Sequence, residues 1–278
     1  MIANTYKDSM PSYRRKETAA YPLSKRILKH LKRKAGILPK RMDISFVKFG
    51  SQKYKRISFI DNYTPIRLKA TLDLVSSSNH FPQLLIHHEN ELWVEYLEGH
   101  LLDIMSDQIC DQLAKLYGDL SSINPTKIPA DNFVNEIEIN LDFLRKMDVI
   151  DYNLQQKLLS LLTRIAPKEV WVGLDYADAI PSNFLIQKGS NKLYAIDIES
   201  LKEEALLGRG LAKAATIWLD DSYLYRIISY LKEHEHPDFY NDMEFINLYF
   251  RSEWLKSLFL RNKRKRLANN RHILLQLV

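Results

Sequence analysis

Hydrophobic and polar positions change rhythm near residue 95. Over residues 43–97 the apolar positions alternate, or come in short β-branched and aromatic runs such as DISFVKFG and KRISFID. A period of two puts successive side chains on opposite faces of a strand, so these runs predict strands, with Gly50-Ser51 turning the chain between them. PIRLKATL predicts a third short strand. QLLIHH and ELWVEYLE predict a hairpin turning at Glu89-Asn90. Beyond that the period becomes 3.6. Ile104, Ile109, Leu113, Leu116, Tyr117 and Leu120 form one helical stripe. Phe133, Ile137, Leu141 and Leu144 form a second, opened by Asp131 as N-cap, and Leu154, Leu158, Leu161 and Leu162 form a third. NFLIQ and LYAIDI, joined by a QKGSNK turn, restore the strand pattern over 184–198. The rest reads as helix over 205–218, 222–231 and 242–267. A small sheet, then helices, one polar hairpin and more helices predict an α+β protein with two unequal lobes.

Composition narrows the chemistry. The chain has 278 residues, 46% of them hydrophobic, enough for a sizeable core. Its 8 glycines allow neither GxGxxG nor GxxxxGK[ST], which excludes a Rossmann fingerprint and a P-loop. A single cysteine, Cys110, excludes an internal disulfide and a CxxC metal knuckle and points to a reducing compartment. No apolar run approaches the ~20 residues that span a bilayer, and the first residues lack the apolar core of a signal peptide. The expectation is a cytoplasmic protein.

Charge is unevenly placed. The formal net charge is +6, yet residues 1–42 hold 12 Lys/Arg against 2 Asp/Glu, and 255–278 hold 7 Lys/Arg and no acid. The body between them is acidic. In LSKRILKHLKRKAGIL the apolar residues Leu23, Ile27, Leu28 and Leu31 recur at helical spacing, which predicts a basic amphipathic helix in an N-terminal extension over 1–42. Such a helix either packs as a solvated face or contacts an anionic surface at a membrane's periphery. The RNKRKR run, Arg261 to Arg266, either serves the same end or caps the apolar helix before it. Neither run carries interleaved aromatics, so no specific nucleic-acid contact is expected.

The hairpin 174–199 carries the informative polar residues. Asp178 stands five residues before Asn183; an apolar strand comes next, and a second apolar strand ends on Asp197. If the two strands pair through QKGSN, Asn183 and Asp197 emerge at the same end. A carboxamide beside a carboxylate suits a hard cation such as Mg²⁺, and Asp178 just upstream could accept a proton from an attacking hydroxyl. His87-His88 and the His234-Glu235-His236 group have no third ligand nearby and read as surface histidines.

D-x-x-x-x-N, an apolar strand, a turn and an apolar strand ending in Asp resemble the catalytic core of the protein-kinase-like superfamily. Ser182-Asn183 and Ile196-Asp197-Ile198-Glu199 look most like its aminoglycoside phosphotransferase and small-molecule kinase branch. The resemblance implies that Asp178 is the catalytic base and that Asn183 and Asp197 bind Mg²⁺. Tyr176 stands where the family usually has His. ELWVEYLEGHLLD resembles the hinge between kinase lobes, which implies adenine on the backbone of Glu95 and Leu97. PIRLKA resembles the strand that bears the phosphate-binding lysine, which makes Lys69 that lysine, with Arg67 its rival. The phosphate-covering loop departs from the family: Gly50 is its one glycine, so a backbone cradle would use Gly50, Ser51 and Gln52. Only residues 70–81 remain for the helix whose acid pairs with the lysine, and Asp73 is the sole acid there.

The resemblance implies a bilobal kinase-like fold, with a small β-rich nucleotide-binding lobe over 43–97 and a larger helical lobe over 98–278. The expected activity is ATP- and Mg-dependent transfer of the γ-phosphate to a hydroxyl of a small molecule or sugar. The alternatives are a catalytically weak kinase-like binding module, and a kinase acting on a protein or a lipid-linked glycan.

Overall fold

The structure, a computed structural model, describes residues 42–278, without the side chains of Phe49, Arg264, Lys265 and Arg271. The basic N-terminal extension over 1–42, with its amphipathic segment 23–38, lies outside them except for Met42. The chain falls into two compact units that part between Glu98 and Gly99.

In the first unit, β1 (Met42–Phe49) and β2 (Gln52–Phe59) form an antiparallel hairpin in register from Met42↔Phe59 to Phe49↔Gln52. That register leaves Gly50 and Ser51 alone in the turn, and Gly50 takes φ 60°, a conformation that glycine adopts without strain. A second hairpin, β3 (Leu84–His88) and β4 (Glu91–Glu95), completes a sheet of order β1-β2-β4-β3. Between the hairpins the chain is helical: α1 runs Tyr63–Leu74, where a third strand was expected.

The reason is local. Ile66, Leu68, Ala70 and Leu72 alternate as in a strand, but the segment is rich in good helix formers and lacks a β-branched run. The Asp61 carboxylate accepts from the Thr64 amide at 2.6 Å, and Pro65 sits in the first turn, where its missing N–H costs nothing. The helix buries Leu68, Thr71 and Leu72 at helical spacing and lies against β3 and β4, whose Leu92 and Val94 are also buried.

The second unit holds two three-stranded sheets and seven α-helices among the described residues. In one sheet β8 (Phe184–Gln187) lies between β5 (Gly99–Leu101) and β9 (Leu193–Ala195). In the other, β7 (Glu169–Tyr176) lies between β6 (Thr126–Pro129) and β10 (Leu201–Leu206). β7 is buried over its last five residues, so it shows no polar face and no alternation to betray it. β10 occupies the start of the helix expected at 205; that helix, α5 (Arg209–Ile217), begins only after Gly208 turns the chain at φ 81°.

The helical stripes mark α2 (Asp107–Ser121), α3 (Asp131–Lys146) and α4 (Tyr152–Ile165), which bury Leu113 and Leu116, Ile137 and Leu141, and Leu158 and Leu161. Ser106 and Asp151 cap α2 and α4 through the amides of Ile109 (3.3 Å) and Leu154 (2.7 Å). Asp131 is the first helical residue of α3 rather than its cap. α6 (Asp221–Glu233) packs on α2. The long apolar helix expected over 242–267 divides into α7 (Met243–Leu260) and α8 (Arg264–Asn270). No helix among the described residues is long and apolar enough to cross a membrane.

Candidate active site

The hairpin β8–β9 pairs Phe184 with Ala195 and Ile186 with Leu193, so the residues just outside the pairing, Asn183 and Asp197, leave at one end. The Ile196 amide donates to the Asn183 carbonyl at 2.9 Å and closes that end. The Asn183 side-chain amide then donates twice, to the Asp178 carbonyl (2.8 Å) and to Oδ2 of Asp197 (3.4 Å). One carboxamide thus ties the three sequence-predicted residues Asp178, Asn183 and Asp197 into a single cluster.

Neighbours fix this cluster. The Tyr176 hydroxyl donates to the Asn183 carbonyl at 3.2 Å and accepts from the Asp197 amide at 3.3 Å, linking the two strands at the end where Asn183 and Asp197 leave. Burial holds its phenol well above the ordinary value, so it stays a neutral hydroxyl that can do both. Ser200 donates to Oδ2 of Asp197 at 2.8 Å. Phe184, fully buried, packs its ring against Tyr176 and Trp218, with centroids 5.4 and 6.2 Å away.

Helix α5 backs the loop from the other side. Its Gly210 amide donates to Oδ2 of the buried Asp175 at 3.2 Å. A side chain at Gly210 would strike the Tyr176 carbonyl, so only glycine lets the helix come so close. One turn on, the Lys213 ammonium is ion-paired with Oδ1 of Asp178. Trp218, just past the helix end, donates from its indole to the Ala179 carbonyl at 2.8 Å. Burial pushes the Asp175 carboxyl up to about 6, against the pull of amides at the start of α5.

The donor set suits a hard divalent ion. Both described bonds of the Asn183 side chain leave from its nitrogen, so its amide oxygen is the atom that could serve as a metal ligand. Both described bonds to the Asp197 carboxylate end on Oδ2, which leaves Oδ1 for the same use. Among the described residues no three His, Cys, Asp or Glu gather as a metal cage. Two oxygen donors are of the kind Mg²⁺ takes, with waters and phosphate oxygens completing its shell.

In the first unit the expected positions fall differently. Lys69 is on helix α1, not on a strand, and its ammonium meets Asp73 one turn on at 2.5 Å, with both side chains largely in solvent. Arg67 no longer shares its face, because two residues on a helix stand about 200° apart. Glu95 ends β4 opposite Tyr54, and its amide donates to the Gln83 carbonyl at 2.9 Å. Leu97 lies two residues beyond, buried. Gly50 and Ser51 form the exposed two-residue turn of the β1–β2 hairpin.

Lys213 and Ser200 belong to this network without having been expected from the sequence. Gly208 and Gly210 ahead of a helical run were the one local signal that a helix starts there in close contact. Nothing local ties Lys213 to Asp178, 35 residues away.

No protein-family model matches the sequence, and no curated protein matches it. Solved structures do. Choline kinase LicA from Streptococcus pneumoniae shares the fold at TM-score 0.57 and 14% identity, over 91% of this chain and 98% of its own. A type I macrolide 2'-phosphotransferase matches at TM-score 0.58 and 10% identity, over 93% of this chain and 99% of its own. A thermostable mutant of an aminoglycoside phosphotransferase matches at TM-score 0.56 and 12% identity, over 90% and 97%. LicA is also solved with AMP, and another such aminoglycoside phosphotransferase mutant with ADP and hygromycin B. The chain therefore has the fold of the protein-kinase-like small-molecule kinases.

Proposed function

We propose that this protein is a kinase that transfers the γ-phosphate of ATP, with Mg²⁺, to a hydroxyl group of a small molecule or sugar. The observation that carries the reading is the Asn183 side chain bonded to both the Asp178 loop and the Asp197 carboxylate. It joins a half-exposed carboxylate to two oxygen ligands of the kind Mg²⁺ takes. In a fold shared with kinases of choline and phosphotransferases of macrolides and aminoglycosides, those are the two requirements of phosphoryl transfer.

In this reading the Asn183 and Asp197 side-chain oxygens hold Mg²⁺, which when bound neutralises charge on the phosphates. Asp178 orients the acceptor hydroxyl and takes its proton as the acceptor oxygen bonds to phosphorus; the bond from phosphorus to the β,γ-bridging oxygen breaks and ADP leaves. Tyr176 and Ser200 keep Asn183 and Asp197 in place, so their geometry is set before substrate arrives.

The nucleotide contacts of the first unit are part of the proposal. With Lys69 on a solvent-facing helix, the phosphate-binding lysine falls to the strand that precedes that helix, β2. Lys55 is the residue we assign: it is half-buried in the middle of β2, paired with Phe46 and Val94. The backbone of Glu95 and Leu97 is proposed for adenine.

The test is transfer of label from γ-labelled ATP to a panel of hydroxyl acceptors: choline, ethanolamine, kanamycin, hygromycin B, a macrolide and a lipid-linked sugar. A labelled product that requires Mg²⁺ and is lost in Asp178→Ala supports the reading. ATP binding that ignores the metal, with no labelled product, would instead favour a non-catalytic nucleotide-binding module.

A further inference from the structure

We infer that Lys213 is a positioning residue for phosphoryl transfer: it fixes which oxygen of the Asp178 carboxylate meets the acceptor hydroxyl. The inference rests on the phosphotransferase reading above and adds to it a residue that lies outside the hairpin motif.

Lys213 projects from α5, the helix that holds the catalytic loop at three heights. Gly210 donates to Asp175 before the loop, and Lys213 pairs with Asp178 and Trp218 donates to Ala179 within it. Gly210 and Lys213 lie one turn apart on the helix and Trp218 follows directly on its end, so one helix and its C-terminal cap set all three contacts. Two of these bonds are neutral or involve backbone groups and already tether the loop. The ammonium adds something they do not: a charge aimed at one carboxylate oxygen.

The environment of the pair argues for that specific use. The Lys213 side chain is 17% exposed and that of Asp178 42%, so the cation is held inside while the acid reaches outward. A surface ion pair would leave both ends in solvent and contribute little, as Lys69–Asp73 does. The terminal torsion of an aspartate is broad and roughly two-fold, so an unpaired carboxylate presents either oxygen over a range of angles. Lys213 takes Oδ1, and the Asp178 carbonyl is taken by Asn183. What remains for the acceptor is Oδ2, its direction set by Lys213 on the side chain while Asn183 holds the backbone. A base held so removes a rotational search from the reaction coordinate.

The experiment uses the full chain and four variants: Lys213→Met, Lys213→Arg, Asp178→Asn and the double variant Lys213→Met/Asp178→Asn. Circular dichroism and thermal melting confirm that each folds. The first readout needs no turnover. Hydrogen exchange at residues 177–183 is expected to speed up in Lys213→Met, to be restored in Lys213→Arg, and to gain nothing from Lys213→Met once Asp178 is Asn. No change, or the same acceleration in both backgrounds, would overturn the inference. The second readout is phosphate release from Mg–ATP with water as acceptor. Lys213→Met is expected to lower kcat about 100-fold, the scale of a misplaced reacting group, with KM for ATP little changed and kcat largely recovered in Lys213→Arg. A folded Lys213→Met variant with unchanged kcat overturns the role of Lys213 while Asp178→Asn, if inactive, leaves the kinase reading standing. Full activity in Asp178→Asn would remove the base assignment, and the inference with it.

Discussion

The two units treat their polar residues in opposite ways. In the second, Asp178, Asn183 and Asp197 are bonded to one another and held by Tyr176, Ser200 and Lys213. In the first, Lys69 pairs with the nearest acid on its own helix, and Gly50 and Ser51 stand exposed in a hairpin turn. The difference teaches where preorganisation resides. A short polar network around buried rings can hold a charge pattern in place before any ligand arrives; an exposed i,i+4 pair cannot.

That contrast can be broken by substitution, from strong effects to weak. Asp178→Ala should reduce phosphate transfer from labelled ATP by about 1000-fold, within the range of general base catalysis, and Asp197→Ala should reduce it comparably through loss of the metal, with both variants still folded by circular dichroism. Phe184→Ala, which empties the space between Tyr176 and Trp218, should cost about 3–5 kcal/mol in urea unfolding. Activity lost through Phe184 should track unfolding; activity lost through Asp178 should not.

Asp175 gives a pH signature. Its folded value of about 6 lies above the ordinary 3.8, so the folded state holds the proton more tightly than the unfolded one. Stability should therefore fall as pH rises from about 4 through 6 and level off above, by on the order of 3 kcal/mol for a shift of about two units. Asp175→Asn, which has no charge to bury, should lose that slope in unfolding measured from pH 4 to 8. A parent protein whose stability is flat over this interval would remove the account of α5 docking on a strained carboxyl.

Two lysines sharpen the comparison at its weak end. Lys55→Ala should raise KM for ATP about tenfold, the loss of one charge-assisted contact. Lys69→Ala should leave KM unchanged and shift stability by about 0.3–0.5 kcal/mol, as removal of an exposed helical ion pair does. The reverse pattern would restore Lys69 to the nucleotide.

What the sequence made legible was local. The pairing of β8 with β9 comes from two apolar runs around QKGSNK, and that register alone brings Asn183 to Asp197. The helical stripes of α2, α3 and α4 come from burial on one face. The helix α1 misleads because Ile66, Leu68, Ala70 and Leu72 alternate like a strand, while the face it buries is set by the sheet it meets. β7 is hidden by its burial on both faces, and β10 by the polar run Lys202-Glu203-Glu204 at its centre. The pairing of Lys213 with Asp178 depends on how Gly210 lets α5 approach Tyr176, a tertiary fact with no periodicity to announce it.

Isothermal titration of the parent protein and Asp197→Ala with ATP, with Mg²⁺ and with EDTA, tests the central claim most directly. The account predicts tight binding that needs both the metal and Asp197, with Asp197→Ala no better in Mg²⁺ than the parent in EDTA. Equal affinity in all four titrations would contradict it.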